Sequence, residues 1–200
     1  RDIDGSIMGT LFVDKLDPQS GTSLEVGSSG DTVTVPSGAT FNVAGTLGSA
    51  LKNAPAFEAY TTGLQSITDA TYTKMTMATE VYDTNDDYDN STNYRFTPSV
   101  AGKYFVYAKG FADPSSFGNL KNCQLQIYKN GSALSYTKYD IQPGDNDSAD
   151  GGTGATPNAR AVVDMNGSSD YLEVFFKLNT WSGSGAQVGS KQFGAYRIIT

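Results

Sequence analysis

The sequence predicts an all-β sandwich of the jelly-roll kind. Three observations predict it. Beyond Leu51, short runs rich in Val, Ile, Tyr, Phe and Thr recur at regular spacing. Turn residues divide them: the chain holds 22 Gly, and Asn-Gly pairs stand at 130–131 and 166–167, where a hairpin turn wants positive φ. No stretch shows a helical period. Many short strands, Gly-rich turns and no helix mean a sandwich or jelly roll.

The first fifty residues differ from the rest. A short motif recurs three times: SLEV at Ser23–Val26, TVTV at Thr32–Val35 and TFNV at Thr40–Val43. Each is Ser or Thr, an apolar residue, a free position, then Val. Gly30, Gly38 and Gly45 punctuate the gaps. Short β-rungs between tight turns fit this pattern. Each rung offers only two apolar side chains, too few to offset the entropy of ordering one copy. Neighbours are therefore expected, and three chains wound about one axis would supply them. A partly disordered leader is the other reading. We set the stem at residues 1–53 and the head at 54–200.

LKNAPAFEAYTTG, Leu51 to Gly63, marks the boundary with the head. Strands are expected at Ala56–Tyr60, Thr73–Tyr82, Lys103–Phe111, Cys123–Gly131, Leu134–Ile141, Ala159–Met165, Asp170–Asn179 and Gln192–Ile199. Side chains alternate across a strand, so each run can be read face by face. Leu125 and Ile127 oppose Gln124 and Gln126, a half-buried strand. Leu172, Val174, Phe176 and Leu178 form one apolar row. Tyr171 and Phe175 interrupt the opposite row, which also holds Glu173 and Lys177. In Lys103–Phe111, Tyr104, Val106 and Ala108 share one face; Phe105, Tyr107 and Phe111 share the other.

A sandwich fills its core with one face of each sheet. Aromatic side chains on the outer faces need another cover, and a contiguous wet patch of them would be an association site. The economical cover is a second copy of the chain, packed by rotational symmetry. Tyr104, Phe105, Val106, Tyr107, Tyr171 and Phe175 are the candidate interface residues.

Composition narrows the function. A net charge of −7 argues against general nucleic-acid binding. No apolar run approaches the roughly 20 residues a membrane helix needs, so membrane insertion is not expected. The chain opens on Arg1 with no signal-peptide pattern, as a processed start or a piece of something longer would. There is no histidine, which removes the usual general base and the Ser-His and Cys-His nucleophile pairs. No GxSxG elbow or Walker loop occurs, and GSGAQVG at Gly183–Gly189 has the wrong spacing for GxGxxG. Cys123, the single cysteine, excludes an intrachain disulfide framework. It is read as a packed structural thiol, with a reactive thiol as the alternative.

From Pro55 onward the order of motifs resembles the globular head of complement C1q and its tumour-necrosis-factor-like relatives. PAFEAY is similar to the family's opening strand. EVYDTNDDYDNSTNYRFTPSVAGKYFVY resembles its central signature, with Tyr88, Phe96 and Gly102 ahead of an aromatic strand. LQIYKNG resembles the next strand and turn, and DYLEVFFKLN and FGAYRI the last two strands. Here Gly194 follows Phe193 directly, where the family has Phe-x-Gly. The resemblance covers about 145 residues and implies a ten-stranded jelly roll assembled as a homotrimer, with aromatic side chains from central strands along the threefold axis. The animal proteins carry collagen repeats or a membrane anchor at the N-terminus. This chain instead has Thr-x-x-Val rungs, which resemble the repetitive stems of bacteriophage appendage proteins, especially those of marine phages.

Two acidic loops are candidate calcium sites, since carboxylates and Asn carbonyls on loops are the ligands calcium prefers. Asp86, Asp87 and Asp89 stand in the first; Asp145, Asp147 and Asp150 in the second. Neither has the EF-hand pattern, and solvated turns are the plainer reading. Trp181, the only tryptophan, stands in a polar, Gly-rich loop. It either packs on a neighbour or offers a ring face to a sugar, and it is the candidate receptor contact.

The expectation is a non-enzymatic structural protein of a virion: a trimeric tail fibre or spike. Its stem would join other virion proteins, and its head would bind a glycan or protein of the host surface. A capsid decoration or head-fibre protein that stabilises the shell is a close variant. A secreted C1q/TNF-like recognition or signalling ligand is a second class. A polysaccharide-degrading enzyme is a third, and would need two carboxyl groups about 5–10 Å apart across a groove.

Overall fold

The computed structural model describes residues 20–45, 53–142 and 154–198, with Leu16 and Pro18. The chain divides into two compact units, Arg1–Thr46 and Leu47–Thr200. In the first, the described residues form no strand and are exposed almost throughout. Its turns are local: the Ser28 N–H donates to the Asp31 carboxylate at 2.7 Å, and the Ala39 N–H to the Pro36 carbonyl at 3.0 Å. The three tetrapeptides stay unpaired in a single chain, as their small apolar content requires.

The second unit is a two-layer β-sandwich. Its strands are β1 (Ala56–Thr61), β2 (Gln65–Ser66), β3 (Thr73–Lys74), β4 (Thr79–Asp83), β5 (Tyr88–Asp89), β6 (Arg95–Phe96) and β7 (Ala101–Asp113). They continue as β8 (Leu120–Lys129), β9 (Ser132–Ala133), β10 (Tyr139–Ile141), β11 (Asn158–Asn166), β12 (Leu172–Thr180) and β13 (Gln187–Ile198). One sheet runs β11-β7-β13-β1-β4, with β2 on β13. The other runs β10-β8-β12-β6-β5, with β3 on β12 and β9 on β8. All pairings are antiparallel, and β7 lies between β11 and β13, both distant in sequence. Such crossing connections between two antiparallel sheets make a jelly roll.

Alternation decides which side chains fill the space between the sheets. Tyr104, Val106 and Ala108 of β7 face Leu125 and Ile127 of β8 and the row Leu172, Val174, Phe176 and Leu178 of β12; all are buried. At one end Phe57 stacks on Tyr88 at 4.6 Å and on Phe96 at 4.5 Å, and meets Phe193 edge-on at 4.9 Å. Offset and edge contacts of this kind add to the area term. Cys123 lies inside this core, and burial pushes its thiol up to about 12. It is therefore expected not to react with a disulfide reagent such as Ellman's at neutral pH until the head is unfolded in guanidinium. Prompt labelling of the native protein would overturn that placement.

Two expected strands take another form. Thr73–Tyr82 is not one strand: β3 pairs with β12 and β4 with β1, so the chain passes from one sheet to the other between them. Met75 and Met77 are fully buried at this crossing. Leu134–Ile141 opens as a 3-10 turn at Ser135–Thr137 before β10. The Thr137 hydroxyl explains it: the Ile127 N–H donates to its oxygen at 3.0 Å, and the hydroxyl donates to the Leu134 carbonyl at 2.7 Å. A side chain there takes the place of a ladder bond. The Asn130-Gly131 turn is as expected: φ is +52° and +74° at the two residues, and only two residues separate β8 from β9.

Candidate functional site

The outer face of the β11-β7-β13-β1-β4 sheet carries an aromatic band. Register places Arg160, Tyr107, Gly194, Glu58 and Tyr82 in one row across five strands. The next row holds Val162, Phe105 and Tyr196. Phe105 lies 5.4 Å from Tyr196 and 6.3 Å from Tyr107, ring centre to ring centre. Within one chain the band is only half covered: Phe105 and Tyr107 are intermediate in burial, and Val162 is 49% exposed.

Polar groups hold the band in place. The Tyr107 hydroxyl donates to the Glu58 carboxylate. Burial, reinforced by that carboxylate, raises the Tyr107 phenol well above the ordinary tyrosine value. Tyr82 is raised as well, chiefly by burial and then by Glu58. Gly194 makes the arrangement possible, because a Cβ there would meet Cζ and Oη of Tyr107 at 2.4 Å. Gly194→Ala is therefore expected to lift the ring off the sheet and cost about 1–3 kcal/mol, the range for overpacking. A lower urea midpoint, together with one tyrosine returning to ordinary titration by ultraviolet absorbance, is the measurement that checks it.

Two shallow depressions flank the band, of about 240 and 210 Å³, and share Lys109 and Gln192 in their linings. Glu58 is the one carboxylate lining either of them among the described residues. Lys103 pairs with Asp164 at 2.7 Å at the margin. An apolar centre with charged groups around it is the build of an association surface.

The six candidate interface residues do not fall together. Phe105 and Tyr107 lie in the band. Tyr104 and Val106 do not: both are fully buried in the core of one chain, and the Tyr104 hydroxyl donates to the Val100 carbonyl at 2.6 Å. They have no surface to offer a second copy. Tyr171 and Phe175 sit on the outer side of the opposite sheet, at and beside β12. There Arg95 lies 4.6 Å over the Tyr171 ring, and Phe175 packs 4.1 Å from Tyr128. One flat contact cannot hold both groups. Sequence reading missed Tyr196, Val162, Tyr82 and Glu58. The alternation Gly194–Tyr196 in β13 and the outward Val162 in β11 were the available signals.

The acidic candidates are largely committed to backbone. Asp89 accepts from the N–H groups of Ser91, Thr92 and Asn93 and from the Asn93 side chain, at 2.7–3.1 Å. These bonds hold its carboxyl well below the usual carboxylate range. Asp87 accepts from the Ser99 N–H and hydroxyl. Asp86 is exposed at a positive φ of +57°. Among the described residues no group of three acidic or thiol side chains is placed to hold a metal. Asp145, Asp147 and Asp150 lie outside the described residues.

Trp181 begins the loop between β12 and β13. Its backbone N–H donates to the Asn119 carbonyl at 3.0 Å, and the Lys121 ammonium lies 4.9 Å over its ring. Its indole Nε1 is out of solvent contact without a hydrogen-bond partner, as are Oδ1 of Asn122 and Oδ1 of Asn179. Asn122 and Asn179 stand opposite one another on β8 and β12. An unmet buried polar group costs about 1–3 kcal/mol.

The strand order and the two antiparallel sheets define the jelly-roll fold. The crystal structure of murine APRIL at pH 8.0 superposes on it with a TM-score of 0.50 at 10% identity, over 72% of this chain and 98% of that one. Eiger TNF from S. frugiperda gives 0.49 at 9% identity, covering 72% and 91%. The globular domain of zebrafish complement 1qA gives 0.39 at 21% identity, covering 72% and 96%. No protein-family model and no curated protein matches the sequence.

Proposed function

We propose that the chain is a non-enzymatic recognition protein whose heads join as a homotrimer through the aromatic band of the β11-β7-β13-β1-β4 sheet. The band carries the proposal: Phe105, Tyr107, Tyr196 and Val162 are left half covered by their own chain. Burying each is worth roughly 1.5–3 kcal/mol, and rotational symmetry repeats the gain at every contact. We further propose that the protein is a virion fibre or spike, its N-terminal unit joined to other virion proteins and its head presented to a host cell. The exposed tetrapeptides support this reading, since they gain partners when three chains run side by side. Three heads on one stem would multiply a modest affinity through effective concentration.

The fold of murine APRIL supports a second reading, a secreted recognition ligand. Immunogold labelling of purified particles with an antibody to this chain separates the two: label on the particle supports the virion role, and its absence with soluble trimer in the medium supports the ligand. A monomer by sedimentation at micromolar concentration would remove the trimer from both.

A further inference from the structure

We infer that the heads join through unlike patches, with Arg160 of one copy set into the depression beside Glu58 of the next, so that every contact is completed by an ion pair between copies. This deepens the homotrimer proposed above and rests on it. The first observation is where the charges of the aromatic band stand. Arg160 on β11 and Glu58 on β1 share one row, with Tyr107 and Gly194 between them. Three strand spacings separate the two, roughly 14 Å of sheet. The Tyr107 ring, lying over Gly194, fills the space between. Neither Arg160 nor Glu58 forms an ion pair among the described residues. Lys103 and Asp164, cross-strand partners on the same face, pair at 2.7 Å and need nothing further.

The second observation is the state of the Glu58 carboxylate. It is half-buried and lines the depression of about 240 Å³ with Tyr60, Lys109 and Gln192. The Tyr107 hydroxyl takes Oε2 and fixes the plane of the group. Oε1 has no donor on it among the described residues, yet it is not shut off from solvent. A guanidinium, a planar fork of N–H donors that keeps its charge at any working pH, suits such a preset oxygen. Arg160 is exposed and free to reach outward. Lys109, the other cation at the rim, is exposed and not in an ion pair with Glu58. Its stem can stay on the sheet while its ammonium stays in water.

The third is a constraint set by symmetry. Closing the band against another copy takes both charges out of water, and a buried charge left without a partner is strongly unfavourable. The copies must therefore meet so that Arg160 finds an acid and Glu58 a cation. In a closed ring of three, each chain uses two different patches, one on either neighbour. The sheet supplies them: Arg160 on its β11 edge and Glu58 three strands away. Setting the β11 edge of one head across β1 of the next joins these two. The apolar row of Val162, Phe105 and Tyr196 runs alongside and closes with them.

Sedimentation velocity of the full chain over a range of concentrations tests the pairing. Arg160→Glu and Glu58→Lys should each raise the concentration at which the trimer dissociates by about tenfold or more. The double variant, which swaps the two charges, should return to within about threefold of the unaltered chain. An equal mixture of the two single variants tests the ring. Among three chains, at least one contact always sets like charges together, so mixing should restore less than the double variant does. In a two-fold dimer every contact would be matched, and full recovery on mixing overturns the ring. Single variants that assemble like the unaltered chain, or a double variant as weak as the singles, overturn the pair and leave the trimer standing. An unaltered chain that is monomeric at every concentration removes the trimer, and this inference with it. Glu58→Lys also takes the acceptor from Tyr107. If its far-ultraviolet spectrum or urea midpoint changes, Glu58→Gln replaces it, and in that background Arg160→Glu should weaken assembly by less than about threefold. An undiminished effect of Arg160→Glu there overturns the pair.

Discussion

Phe105→Asp combined with Val162→Asp is expected to turn the proposed trimer into a folded monomer of 21.2 kDa. The two residues are cross-strand partners on β7 and β11, at the heart of the aromatic band. Neither belongs to the core, so the single chain should keep its far-ultraviolet spectrum. Removing one large apolar contact costs about 2 kcal/mol, and three symmetry-related copies bring that to about 6 kcal/mol. At 1.4 kcal/mol per decade, the trimer association constant falls roughly 10⁴-fold. Facing carboxylates near a threefold axis would add repulsion. Sedimentation velocity at several concentrations decides the matter: a trimer that survives both substitutions places the contact elsewhere, and the outer side of β8 and β12 becomes the next surface to probe.

Phe57→Ala should destabilise the head by about 3–5 kcal/mol, the cost of emptying a large aromatic site. Phe57 touches Tyr88 and Phe96 by stacking and Phe193 by its edge, joining β1 and β13 of one sheet to β5 and β6 of the other. A stability of 5–15 kcal/mol is usual for a domain, so this loss is a large share of it. Denaturation in urea monitored by tyrosine absorbance gives the number. In the Phe105→Asp, Val162→Asp background the loss should persist, because the stack lies wholly within one chain. A change below about 1 kcal/mol would mean that the site collapses around the missing ring.

Much of this architecture could be read from alternation. The period-2 pattern assigned Tyr104, Val106 and Ala108 to one face of β7 and Phe105, Tyr107 and Phe111 to the other, and burial follows that division. The row from Leu172 to Leu178 behaves likewise. Alternation says only in or out, however, and not out of which sheet. Tyr171 and Phe175 are turned outward like Phe105, but from the other side of the sandwich, a fact set by strand order rather than by local sequence. The same limit hid the crossing at Met75 and Met77, where side chains keep an every-second spacing while the backbone changes sheet. The contact of Tyr107 with Glu58 depends on the register of β1 and β7 against β13. The acidic run left two readings open for a different reason: Asp87 and Asp89 carry the hydrogen bonds that shape their own turns, a demand that composition does not distinguish from metal binding.

The mutual fastening of the 113–119 and 181–185 loops has an engineering consequence. The bonds of Ser115, Asn119, Trp181 and Ser182 run from one loop to the other, so the pair should travel as one cassette. Transplanting both between jelly-roll heads should preserve the clasp and its contour, whereas moving either by itself severs the clasp and scrambles the donor's contour.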